Sequence, residues 1–439
     1  MFQRLTKFNF MLLSVITSVI VFVILLPKFP AIRIAESYVP IRFEDFIIML
    51  ALLAFSPLFV MHFKKIIENQ VPRTIFLYLL VGFTSLLSSI FITGTIETFV
   101  GLLHLLRRVE YMSLFFVGFI FVYKYAKKNF FEYLFKVLLI VNLLVFVYAI
   151  GQRFFDFPVI ITQNEEYSKG IALRWVPGAH INSTFAGHYD LASYVVLTSP
   201  FILLGFIFAK DKLTKLVAGA STAVSFILLT LAVSRISIVS FVLSISLVLL
   251  FYKKMKELVV FLLISALIFG SSPDLQVRYN RILQVVKEKI SMVMVVQASE
   301  DGVVEDRSSS IRFNVEWPRA IRAFSKNPLL GTGYSSITLA TDNDYLRALG
   351  EVGLLGFGAF ALIFVAMFKK FFSIYKNFKV KLMEVNLQKL FIVAFFASTI
   401  ASFVTAIFID IFEASKFATI YWLLAGFAIA SLEKMRENI

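Results

Sequence analysis

Leu216-Val-Ala-Gly-Ala-Ser-Thr-Ala-Val-Ser-Phe-Ile-Leu-Leu-Thr-Leu-Ala-Val233, then Ser234-Arg235, then Ile236-Ser-Ile-Val-Ser-Phe-Val-Leu-Ser-Ile-Ser-Leu-Val-Leu-Leu-Phe-Tyr252 set one cation between two apolar blocks. A helix rises about 1.5 Å per residue and a hydrocarbon core is roughly 30 Å thick, so blocks of this length cross a membrane. The pair is therefore expected to be a tight transmembrane hairpin with Arg235 at its mouth. The same test along the 439 residues predicts twelve spans: 8–26, 45–63, 74–93, 98–123, 134–150, 190–209, 216–233, 236–252, 257–271, 345–368, 390–409 and 417–432. The expected fold is an all-α polytopic membrane protein.

Bulk composition agrees. Hydrophobic residues are 59 %, charged residues 16 % and mean hydropathy is +0.84, against about 45–50 % and 25 % in soluble domains. With no cysteine, disulfides, thiolate metal sites and cysteine nucleophiles are excluded. The first block follows Arg4 and Lys7 as a signal peptide would, but no small-residue cleavage site follows Leu25-Leu26-Pro27-Lys28, so it is read as a span.

The net charge of +15 divides by topology. With a cytoplasmic N-terminus, the inside segments hold 22 Lys and Arg in 65 residues, and the outside segments hold 17 in 143. The bias follows the positive-inside rule, so both termini are expected in the cytoplasm. Clips such as Lys210-Asp-Lys212 and Lys253-Lys254-Met-Lys256 set orientation, and the basic charge calls for no nucleic acid.

Two outside segments, 151–189 and 272–344, exceed simple turns and are expected to carry function. They divide the chain into spans 1–5 (1–150), a first loop (151–189), spans 6–9 (190–271), a large loop (272–344) and spans 10–12 (345–439). In the large loop, Leu275 to Val296 and Ile311 to Phe324 have apolar residues at helical spacing, flanking an acidic bend from Ala298 to Asp306. That pattern predicts a small helical cap before span 10.

Ionisable groups at membrane depth or at a span's mouth are costly and mark candidate sites. Arg235 presents a planar donor fork suited to phosphate oxygens. Ser308-Ser-Ser-Ile-Arg312-Phe-Asn-Val-Glu316-Trp317-Pro-Arg319 leads through Asn327-Pro328-Leu-Leu-Gly331-Thr-Gly333 to Asp342-Asn343-Asp344-Tyr345. The Gly-x-Gly is read as a structural turn, because no strand precedes it and the Walker lysine pattern is absent. Asp342 and Asp344 stand at the entrance to span 10, where a carboxylate can take a proton from a sugar hydroxyl, although Asp342 is equally suited to capping that helix. His180, His188 and Asp190 precede span 6. Without cysteine or a third nearby histidine, hydrogen bonding to substrate is favoured over metal, and no metal or cofactor is expected. Within span 4, Arg107 and Arg108 are expected to line an internally paired polar cavity, with Glu110 as counter-ion to one of them.

Taken together these segments resemble the bacterial O-antigen ligase and O-antigen polymerase superfamily. The likeness rests on Ser234-Arg235 opening a span, on Arg312 before Trp317 and Asn327-Pro-Leu-Leu-Gly-Thr-Gly333, on Asn343-Asp344-Tyr345-Leu346 leading into Glu351-Val-Gly353-Leu-Leu-Gly356, and on Asn182-Ser-Thr-Phe-Ala-Gly-His188-Tyr-Asp190. It implies a glycosyltransferase in the bacterial inner membrane, with its active site facing the periplasm. The implied donor is an undecaprenyl-pyrophosphate-linked glycan, bound at its pyrophosphate by Arg235 and Arg312, with Arg319 nearby. An acceptor glycan or lipid A core takes the sugar, and membrane lipids surround the chain. Possible glycan contacts are His180, His188, Asp190 and Tyr345. Ligases of this superfamily typically carry a histidine just before Asn-x-Tyr-Leu. This chain has Asp342 there, which makes it the candidate base and points to a polymerase ahead of a ligase. The competing class is a lipid-linked oligosaccharide flippase or transporter, for which short loops and mid-membrane charges would be expected.

Overall fold

A computed structural model describes residues 2–28, 30–32, 41–127, 129–159, 174–176, 179–273, 275–276, 311–337, 341–383 and 385–437. It is an all-α polytopic membrane protein. Among the described residues the exception is a ribbon of β1 (Pro30–Ile32) and β2 (Ile41–Arg42), paired antiparallel. The helices run α1 (Phe2–Leu25), α2 (Phe43–Glu68), α3 (Gln70–Phe91), α4 (Thr98–Ile120), α5 (Phe130–Phe154), α6 (His188–Phe208), α7 (Lys212–Ala232), α8 (Arg235–Phe251), α9 (Met255–Ser271), α10 (Trp317–Lys326), α11 (Asp344–Met383), α12 (Leu387–Thr405) and α13 (Ser415–Glu437).

Each predicted span falls on one of these helices, and among the described residues nine are long and apolar enough to cross a membrane. The other three have identifiable reasons. Helix α4 carries Arg107, Arg108 and Glu110, while α8 and α9 have 17 residues each. The predicted hairpin is present: α7 ends at Val233, whose φ of 52° reverses the chain, and α8 starts at Arg235. Span 10 was expected over 345–368 and is instead part of a 40-residue helix. Of the predicted cap, Ile311 to Phe324 is helical, as a π-turn over Arg312–Glu316 followed by α10. The expected helix from 275 to 296 and the acidic bend lie almost wholly outside the described residues.

The bundle is organised around α13, all of whose most apolar window is buried. It packs most closely on α4, because Gly118 and Gly426 let the two backbones touch. A Cβ on Gly426 would overlap the Phe115 carbonyl, and one on Gly118 would overlap that of Leu423. Close approach of small residues is how helices associate where lipid offers no hydrophobic gain.

A polar knot fixes the end of the bundle that carries the long segments. Lys416, in the first turn of α13, is buried, and its Nζ donates to the carbonyls of Ile24 (3.0 Å), Leu26 (2.6 Å) and Thr184 (2.7 Å). Three donors meet three acceptors, joining the C-terminus of α1 to the segment before α6. Lys416→Met orphans these carbonyls, each costing about 1–3 kcal/mol. The expected outcome is a clearly lower thermal midpoint for the detergent-solubilised protein; an unchanged midpoint would show the knot to be energetically neutral.

Candidate functional site

The turn from Thr341 to Asp344 is built by a carboxylate from another element. Asp410, past the end of α12, accepts from the amides of Thr341 (Oδ2, 2.9 Å) and Asn343 (Oδ1, 2.8 Å), and Arg347 Nη1 donates to the same carboxylate at 2.9 Å. Clamped on both sides, Asp342 adopts φ of 49°, a left-handed conformation that Asp and Asn tolerate best after glycine. The cap of α11 is Asn343, whose Oδ1 accepts from Leu346 N at 2.9 Å. Asp342 is therefore not the helix cap, and its side chain is left for other work.

That side chain meets Arg312. Nε and Nη2 of Arg312 donate to Asp342 Oδ2 at 2.9 and 2.6 Å, which leaves Oδ1 outside the pair. Tyr189, at the start of α6, receives a third bond at 3.3 Å, and its ring lies 5.9 Å from the guanidinium carbon. Three separate parts of the chain thus meet at one cation. Arg312 is buried because the π-turn, closed by Trp317 N to Arg312 O, swings it inward. Burial raises the Asp342 carboxyl above the usual carboxylate range and Asp410 adds to this, while Arg312 opposes both. Glu316, one turn along from Arg312, is pushed up to about 7 by burial and by the charges of Asp342 and Asp410, against Arg312 and Arg319. Its Oε2 is buried with no hydrogen-bond partner among the described residues. Two carboxyls, both raised by burial, thus stand near one guanidinium, and perturbed groups of this kind are suited to proton exchange.

Asp342 lines a cavity of about 720 Å³. His180 and His188 stand on its wall with ring centroids 4.4 Å apart, and Asp190 and Tyr189 continue that wall. Lys28, Arg42 and Ser415 also line it, with Lys28 3.8 Å from Asp190. The sequence-predicted residues Asp342, His180, His188 and Asp190 are therefore brought together, with Arg312 directly behind Asp342. No cluster of metal-ligating residues occurs among the described residues.

The remaining candidates fall elsewhere. Arg235 is half-buried at the start of α8 and is not among the residues lining the cavity. Arg319 is half-buried on α10, near Glu316. Asp344 Oδ2 accepts from the amides of Ile411 (2.9 Å) and Phe412 (3.2 Å), so this buried carboxylate holds the segment after α12. Tyr345 donates to the Phe403 carbonyl at 2.7 Å and faces a separate apolar groove between α11 and α12. The charges of α4 are paired internally, as the sequence predicts: Arg107 Nη1 donates to Asp45 (2.7 Å) and to Glu110 (2.9 Å), while Arg108 meets Glu413 and lies 3.8 Å from Glu351. Sequence reasoning missed Asp410, Arg347 and Glu316. The available signal was the run of ionisable residues Asp410, Glu413 and Lys416 at a membrane boundary otherwise rich in Phe and Ile.

The Gly-x-Gly segment is a structural turn. Thr332 and Gly333 donate to the carbonyls of Gly350 and Glu351 at 2.9 and 2.8 Å, and Leu354 and Leu355 donate back to Pro328 and Leu329 at 2.8 and 3.1 Å. Helix α11 is locally opened at Gly353, with φ of 66°, and the segment 328–333 supplies the missing backbone partners. In a membrane such an opening is tolerated only when satisfied in this way.

Residues 220–361 match the family model described as O-antigen ligase, which supports the O-antigen ligase and polymerase superfamily. The matched segment contains Arg235, Arg312 and Asp342. No curated protein matches the chain.

Proposed function

Proceeding from an O-antigen ligase domain over residues 220–361, we propose that the protein is a glycosyltransferase of the bacterial inner membrane. It moves a glycan from undecaprenyl pyrophosphate to a hydroxyl of an acceptor glycan at the periplasmic face, most simply as an O-antigen or exopolysaccharide polymerase. The observation that carries this reading is Asp342 on the cavity wall, paired with Arg312 behind it, both inside the matched segment. Asp342 Oδ1 takes the acceptor proton as that oxygen attacks the anomeric carbon. The bond from that carbon to the pyrophosphate oxygen breaks, and the leaving group departs with the electron pair. Arg312 has five donors and commits only some of them to Asp342 and Tyr189, so the rest can meet the developing phosphate charge. Arg235 and Arg319 stand outside the cavity lining and are assigned to guiding the anionic headgroup.

The surface glycan of a deletion strain tests this directly. Loss of the polymer ladder with one repeat unit retained is the expected result. Polymer accumulating unattached on its lipid carrier would instead mean a ligase that transfers to lipid A core, the second reading, which the description of the matched family favours. In the same strain, Asp342→Asn is expected to abolish the ladder without loss of protein, since Asn suits the same backbone conformation. Full activity of Asp342→Asn would eliminate Asp342 as the base.

A further inference from the structure

The cations around the cavity differ in how they are matched. Arg312 is bonded to Asp342, Arg347 to Asp410, and Arg108, behind the wall, to Glu413. Among the described residues, Lys28 and Arg42 have no such close carboxylate. Lys28 follows α1, is 3 % exposed, and its Nζ lies 3.8 Å from Asp190 Oδ2. Arg42, at the start of α2, lies 3.9 Å from Glu44 Oε1 and donates from Nη1 to Ser415 Oγ at 2.8 Å. Its Nε is buried with no hydrogen-bond partner among the described residues, and neither oxygen of Glu44 has one. Both ion pairs exceed hydrogen-bond reach. Lys28 is buried and Arg42 half-buried, and a cation whose carboxylate partner stands beyond hydrogen-bond reach is only partly compensated.

We infer that Lys28 and Arg42, which both line the cavity, form an oxyanion subsite there, which takes a second anionic group of the glycan substrates, a phosphate or a sugar carboxylate. A neutral hydroxyl cannot offset two cations, whereas an oxyanion accepts from the Lys28 ammonium and the Arg42 guanidinium together. This rests on the transferase reading and adds a residue set to it. Lys28 reports occupancy. Burial brings its ammonium down to about 8, Arg42 and Arg107 act in the same direction, and Asp190 and Glu44 oppose them. Lys416 of α13 is the other cation acting on this group. Because the subsite needs Lys28 protonated, affinity falls as pH rises through about 8.

Calorimetric titration of the purified full-length protein in detergent, with inorganic phosphate and separately with glucuronate, tests the subsite. The wild type is expected to bind at least one, inorganic phosphate identifying a phosphate source and glucuronate an acidic sugar. Lys28→Gln and Arg42→Gln each weaken that binding by about tenfold or more, and Lys136→Gln, exposed on α5 and outside the cavity lining, leaves it unchanged. Lys28→Arg retains binding and removes the decline above pH 8, a change that a merely structural lysine would not produce. The inference is overturned if neither anion binds, if the Lys28→Gln and Arg42→Gln variants bind as the wild type does, or if Lys136→Gln causes an equal loss. No glycosidic bond is formed in this experiment, so its failure is distinguishable from failure of the transferase reading in the ladder assay.

Discussion

Arg312→Ala abolishes glycan transfer while the protein remains folded and inserted. Arg312 Nε and Nη2 both reach Asp342 Oδ2. Removing the guanidinium therefore takes away the group that orients the proposed base and the donors proposed to meet the leaving pyrophosphate. Loss of one preorganised donor to a developing oxyanion costs on the order of 10²–10³ in rate, and loss of Asp342 orientation adds to that. Folding is expected to survive, since Asp342 keeps its backbone clamp on Asp410. Arg312→Lys is the informative intermediate: it retains a charge but not the planar fork, so partial activity is expected. If the pair acts as one unit, Arg312→Ala combined with Asp342→Ala is no slower than the worse single variant. The check is initial transfer rate per unit of membrane-inserted protein. A wild-type rate in Arg312→Ala would remove the residue from the mechanism.

Gly331→Ala and Gly353→Ala prevent accumulation of folded protein. A Cβ on Gly331 would overlap the backbone of Glu351, and a Cβ on Gly353 would overlap the backbone of Leu329. Both glycines have positive φ, 69° and 66°, which costs an L residue roughly 1–2 kcal/mol before any overlap. Separating the two segments also breaks the four backbone hydrogen bonds that close the opening in α11, exposing polar groups to hydrocarbon. The combined effect is on the order of several kcal/mol, comparable with total stability. Gly358 provides the control, because a Cβ there meets nothing within 4 Å. Detergent-extractable, monodisperse protein is the readout. Wild-type yields of Gly331→Ala and Gly353→Ala would show that the backbone contact is loose.

The helices were legible because a membrane leaves a simple record: about 20 apolar residues between charges, repeated along the chain. The hairpin at Ser234-Arg235 followed from that record because it is local, whereas for Glu110 the sequence left open which of Arg107 and Arg108 it meets. The length of α11 did not. Its apolar span merges into a polar helical extension that hydropathy cannot separate from a loop. The site was legible as residues and not as partners. Arg312 and Asp342 were each visible at a loop's end, but 30 positions of intervening chain carry no signal that they touch. Asp410 was hidden for the same reason, 67 positions beyond the Asn343 amide it binds. Asp344 shows the converse error: a carboxylate at a span's mouth resembles a base in sequence, and here it holds two backbone amides.

The most direct test uses purified protein, a polyprenyl-pyrophosphate-linked oligosaccharide in vesicles, and simultaneous measurement of new glycosidic bonds and released polyprenyl pyrophosphate. The wild type is expected to produce the two in equal amounts, and Arg312→Ala and Asp342→Asn to produce neither. Movement of the lipid-linked sugar across the bilayer without bond formation, or undiminished bond formation in both variants, would contradict the assignment of Arg312 and Asp342 as the transfer site.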